Sequence, residues 1–220
     1  MDLSLPSIEI SGKIAEDSAF SVGRSMIVFR WPAFRSAKLP LSPKTQEILR
    51  HLSIGAALTT NSLVRITGKH RPGMNKDLLR LWQAGLVKQL AIATDHTVFK
   101  LWTTADRKPP ATAQEACRMA VLGAFYALAA RETPDFGWRL IRDSRYMVVG
   151  EMSFTGRNGR EKWLIDAPRR GEIMIDNAQA YVFPTLEEAR AAVPPGTPFT
   201  SDICLFKGGR SLKDMLFEHE

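Results

Sequence analysis

The chain has 220 residues, 45% of them hydrophobic, which is enough for a sizeable core and for one domain or two small ones. Its longest apolar stretch, residues 116–130, is short for a membrane span and carries Arg118, and the opening MDLSLPSIEI lacks the basic start and apolar run of a secretory signal, so a cytoplasmic protein with no membrane partner is expected. The net charge of +7 lies wholly in residues 1–104, which hold 14 basic and 7 acidic residues, whereas residues 105–220 hold 16 of each. Charge segregated in this way points to a polyanion facing the first half. Cys117 and Cys204 stand far apart with no partner pattern and read as reduced thiols, and His51, His70, His96 and His219 never fall at ligand spacing, which argues against zinc.

In chain order, residues 1–40 read as an arm on the body, with a strand at 26–31 that Pro32 ends. Ser42-Pro43 is a cap followed by a first-turn proline, and Ile48, Leu49 and Leu52 give the helix behind it one apolar face until Gly55. Thr59 or Thr60 caps a second short helix, with Leu63 and Ile66 inward, up to Gly68. The turn Lys69-His70-Arg71-Pro72-Gly73 is rich in positive charge and in helix breakers. A third helix is predicted over 74–84, where Met74, Leu78, Leu81 and Trp82 form a core stripe. Lys76, Arg80 and Gln83 lie on its opposite side with Asn75 beside them, and Gly85 stops it. Residues 86–102, LVKQLAIATDHTVFKLW, read as two strands around a turn at Thr94-Asp95-His96, and residues 105–111, ADRKPPA, as a linker.

Three helices and a hairpin in this order, with NKDLLRLWQAGLVKQL running from the third helix into the first strand, resemble the winged helix-turn-helix superfamily over residues 41–104. The resemblance is at the level of fold and singles out no one family within it. It implies a DNA-binding domain whose helix at 74–84 enters the major groove of double-stranded DNA. The contact set it implies is Lys69, Arg71, Asn75, Lys76, Arg80, Lys88 and Lys100. In that set Asn75 suits adenine, Arg80 suits guanine or a phosphate, and Arg71 and Lys76 suit phosphate. The same module used for protein docking would leave Lys76 and Arg80 as ordinary solvated charges.

From residue 112 the pattern changes. Thr112-Ala-Gln-Glu115 reads as a capping box opening a long helix to about residue 131 that is apolar on nearly every face. Strands are predicted at 138–141, 146–154 and 162–165, with the hairpin signal Asn158-Gly159 between the last two. A further strand falls within 173–183, a helix opened by Thr185-Leu-Glu-Glu188 runs to about 193, a last strand falls within 199–206, and Ser211 caps a terminal helix. The expected fold class is therefore α+β, a winged helix-turn-helix followed by an α+β domain with a mainly antiparallel sheet at 112–220.

The second block also loosely resembles the restriction-endonuclease-like core, and the two blocks together resemble replication-relaxation proteins of bacterial mobile elements. Chemistry in such a core needs an Asp and a nearby acid-x-Lys to hold Mg²⁺ and activate water. Asp135 and Asp143 are candidate first acids, and Glu161-Lys162-Trp163 and Asp166-Ala167-Pro168 are candidate second elements, but neither second element has its lysine at the required place. No catalytic residue, metal or cofactor is expected. Residues 112–220 are expected to support a homodimer or bind a partner. The function expected is duplex DNA binding in transcription regulation or in replication and mobilisation. The alternatives are a metal-dependent nuclease and a winged-helix adaptor that binds only protein.

Overall fold

A computed structural model describes residues 17–31, 41–133, 135–142, 148–156, 159–206 and 211–219. The hairpin signal at Asn158, the candidate acid Asp143 and most of the arm lie outside them. Among the described residues the protein is mixed α+β, with seven helices and two mostly antiparallel sheets.

Helix α1 (Pro43–Gly55) begins as its sequence dictates: the Ser42 side chain accepts from the Thr45 N–H, with proline in the first turn. The short strand β2 (Leu58–Thr59) leads into α2 (Thr60–Thr67), where the Thr59 side chain accepts from the Ser62 N–H and Gly68 closes the helix at positive φ. Helix α3 spans Arg71–Gln83 and so starts three residues before the predicted 74. Pro72 and Gly73 read as turn formers in the sequence, but a proline in the first turn loses no helical hydrogen bond, so the helix extends back through both. Arg71 therefore belongs to the helix and not to a loop.

Strands β3 (Val87–Thr94) and β4 (Val98–Thr104) form a hairpin. An N-terminal strand, β1 (Gly23–Val28), pairs antiparallel with β3, so the first sheet has the order β1-β3-β4-β2. This strand starts and ends three residues before the predicted 26–31, although the Phe29 N–H still donates to the Gln89 carbonyl at 2.9 Å. Side chains alternate across the sheet. On one face Val87 and Trp102 enter a core with Ile48, Leu52, Leu58, Leu63, Met74, Leu78 and Leu81 of the three helices. On the other face Leu90, Ile92 and Leu101 enter a second core built around α4.

Helix α4 (Ala113–Glu132) is the centre of the molecule. Every residue from Ala116 to Ala129 is buried, because the first sheet covers one side and the second sheet another. Gly123 makes the close contact possible: a Cβ there would sit 2.6 Å from the Ala57 carbonyl oxygen. The Thr112 side chain caps the helix by accepting from the Glu115 N–H, but Glu115 in turn accepts from Ala111 and not from Thr112. Residues 105–111 carry no regular element and are tied on both sides. Arg107 donates to the Ser53 carbonyl at 2.7 Å, and Arg142 donates to the Lys108 and Pro109 carbonyls at 2.9 and 3.0 Å.

The second sheet has the order β5-β6-β7-β8-β9. Strands β5 (Gly137–Arg142), β6 (Val148–Gly156) and β7 (Gly159–Asp166) form an antiparallel meander. Strands β8 (Ala180–Phe183) and β9 (Phe199–Ser201) are parallel to β7 and are joined to each other through α5 (Leu186–Ala192). The last strand expected within 199–206 covers 199–201, and α6 (Asp202–Phe206) takes up the rest of that segment. Asp202 there is buried and held by Arg169, a partner that no local pattern reveals. Helix α7 (Leu212–Met215) closes the described chain behind a reciprocal capping box between Ser211 and Asp214. Among the described residues no helix is long and apolar enough to cross a membrane.

Candidate nucleic-acid interface

The outward side of α3 follows from its inward side. Met74, Leu78 and Leu81 are fully buried, which turns Asn75, Lys76, Leu79, Arg80 and Gln83 to solvent, while Arg71, in line with Leu78, is exposed at the first turn. Among the described residues, Arg71, Asn75, Lys76 and Arg80 make no side-chain hydrogen bond or ion pair. The one acid on the helix, Asp77, is half-buried and takes the ammonium of Lys69. Lys69 thus folds back across the start of α3, and its Cε lies 3.2 Å from where a Cβ on Gly73 would stand. With Asp77 neutralised, α3 carries three exposed positive charges and no free negative one.

The other members of the sequence-derived contact set are spread over the module. Lys100 is exposed on β4 and pairs in register with Ala91, on the sheet face that Trp102 turns toward the three helices. Lys88 alternates with Leu90 and Ile92 and so lies on the α4 face, where its ammonium donates to the Arg107 carbonyl at 2.6 Å. Lys69 and Lys88 therefore have internal partners, while Asn75, Lys76 and Arg80 lie on the outward side of α3 and Arg71 is exposed at its first turn.

The tip of the β3–β4 hairpin is anchored. Arg24 of β1 holds Asp95 through two hydrogen bonds, one of 2.9 Å, and this keeps the Asp95 carboxyl below the usual carboxylate range. His96 Nε2 lies 3.1 Å from Asp17, which also accepts from Arg170 at 2.8 Å. Burial opposes ionisation of Asp17, but Arg170 outweighs it and lowers the carboxyl. Phe20, three residues after Asp17, is stacked on Phe206 and edge-on to Phe99.

Among the described residues, the candidate acids of the second half do not gather into one cluster. Asp166 is fully buried at the end of β7, where it accepts from Arg118 and from the Ile175 N–H at 2.9 Å. Arg118 also donates to Glu172 at 2.8 Å and to the Val148 carbonyl at 2.7 Å. Next to this group Asp202 accepts from Ser18 and, at 2.6 Å, from Arg169. Burial pushes the carboxyls of Asp166 and Asp202 up, against the pull of the facing arginines. Glu161 is only half-buried and lies an odd number of residues before Asp166 on β7, hence on the other face of the sheet. Asp135 is exposed and accepts from Thr155 at 3.4 Å. Among the described residues no three His, Cys, Asp or Glu side chains gather where a metal ion would be held. Both cysteines are free, and burial raises the Cys117 thiol to about 12.

Sequence reasoning missed Leu79, which lies in the middle of the exposed face of α3. Its signal was present, since Leu79 falls outside the stripe of Met74, Leu78 and Leu81. Comparison with family models, curated proteins and solved structures finds no match to this chain.

Proposed function

We propose that residues 41–104 act as a winged helix-turn-helix that binds double-stranded DNA, with α3 in the major groove. The observation that carries this reading is the outward face of α3, where Lys76 and Arg80 are unpaired, with Arg71 exposed at the first turn and the only acid on the helix neutralised by Lys69. The element order of α1, β2, α2, α3 and the β3–β4 hairpin supports it, as does the concentration of net charge in residues 1–104. The major groove admits one α-helix and presents the base edges that Asn75 and Arg80 suit. Because the hairpin tip is tied to Arg24 of β1 and to Asp17, the main contact in this reading is the helix, with Lys100 an exposed cation on β4. Residues 112–220 then serve as a body that holds the module and supports a homodimer or a partner, in transcription regulation or in replication and mobilisation.

A salt titration of duplex binding tests the proposal. With roughly 4–6 phosphates neutralised, log affinity against log salt slopes at about −4 to −5. A flat line would remove the electrostatic basis of the reading.

A further inference from the structure

Leu79 is the residue of α3 that neither packing nor charge explains. It is 46% exposed, while the helix meets its core through Met74, Leu78 and Leu81. A single exposed leucine elsewhere on a surface carries no message. This one is flanked at helical spacing by Asn75, Lys76 and Gln83, all exposed, with the exposed Arg80 next in the chain, so it forms an apolar spot on a polar and cationic face.

In the major groove the base pairs offer hydrogen-bond donors and acceptors and a single kind of apolar group, the C5-methyl of thymine. A leucine held at the middle of a groove-facing helix either covers such a methyl or is pressed against polar edges that it leaves without partners. We propose that Leu79 is a specificity-determining residue that selects thymine by packing on its methyl group. This inference rests on the DNA-binding reading above. Asn75 lies one turn earlier on the same face. Four helical residues rise about 6 Å, close to the span of two base pairs, so the selected thymine lies within about two base pairs of the adenine that Asn75 suits.

The test uses the full chain. Random duplex DNA is enriched on the protein, and each thymine of the recovered site is replaced in turn by deoxyuridine, which removes only the methyl group. One position should weaken binding by about fourfold, the ratio that corresponds to burying one methyl group. In Leu79→Ala, with the thermal midpoint of the parent, the same replacement should have no effect. If DNA is enriched but no deoxyuridine position matters, or the effect persists in Leu79→Ala, the thymine assignment is wrong and the DNA-binding reading stands. If no duplex is enriched at all, both readings fall.

Discussion

Arg80 on α3 and Arg118 on α4 carry the same guanidinium group into opposite surroundings. Arg118 is fully buried and each of its nitrogens has a partner: the Val148 carbonyl, Glu172 and Asp166. Arg80 is exposed and has no partner among the described residues. A buried charge is tolerated only when it is paired, so the Arg118 group is part of what holds α4, β6 and β7 together. A charge left free on a helix face adds little to stability and remains available to a ligand. The two regions therefore differ in what their charges do for the fold: one set is engaged in it and the other is left free of it.

The largest expected effect tests the first half of this contrast. Arg118→Ala leaves Asp166 and Glu172 buried without their cation, and breaking a buried pair in this way costs about 3–5 kcal/mol. Denaturant unfolding measures it, and a loss under about 1 kcal/mol would mean that the cluster is not structural. Next comes Leu78→Ala, which opens a cavity beneath α3 and costs about 2–5 kcal/mol. It should reduce DNA binding only by unfolding the module, so low temperature or a stabilising osmolyte should restore both together.

A smaller effect concerns pH. His51 of α1 is buried, its Nδ1 lies 2.9 Å from the Tyr126 hydroxyl of α4, and burial followed by the nearby Arg50 lowers its pKa from the ordinary 6.5. The unfolded chain then binds the proton more readily than the folded one. Stability contributed by His51 is therefore present above pH 6.5 and is lost as pH falls through the lowered value. Asp166 and Asp202, raised by burial, act with the opposite sign, so the quantity to measure is the difference between parent and His51→Gln. The melting temperature of the parent should fall relative to the variant below pH 6.5, and parallel curves would contradict the assignment.

Much of the α3 region was legible in the sequence, because its determinants are local. Ser42-Pro43, Thr59 and Thr112 mark helix starts by side-chain caps, and the stripe of Met74, Leu78 and Leu81 fixes which way Lys76 and Arg80 face. The start of α3 was not legible, since proline and glycine favour turns as readily as a first helical turn. The pairing of Lys69 with Asp77 was hidden because it depends on the path of the chain through that turn. Lys88 was assigned by charge alone, although its alternation with Leu90 and Ile92 could have placed it on the α4 face. In the second half the decisive contacts are long-range: Ser18 and Arg169 reach Asp202, and Arg118 reaches Asp166. No local window contains such pairs, and for that reason the switch from β9 to α6 and the anchoring of the hairpin tip were missed.

The most direct test of the contrast is the double substitution Lys76→Ala, Arg80→Ala in the full chain, with unfolding and duplex binding measured on the same protein. Neither side chain serves the core, so stability should stay within about 0.5 kcal/mol of the parent. Binding should weaken by at least about fivefold, from a lost bidentate base contact worth about 1–3 kcal/mol, and the salt slope should fall by about one unit for each phosphate contact removed. A double variant that binds duplex DNA like the parent across the salt range would contradict the account, because the free charges of α3 would then have no part in recognition.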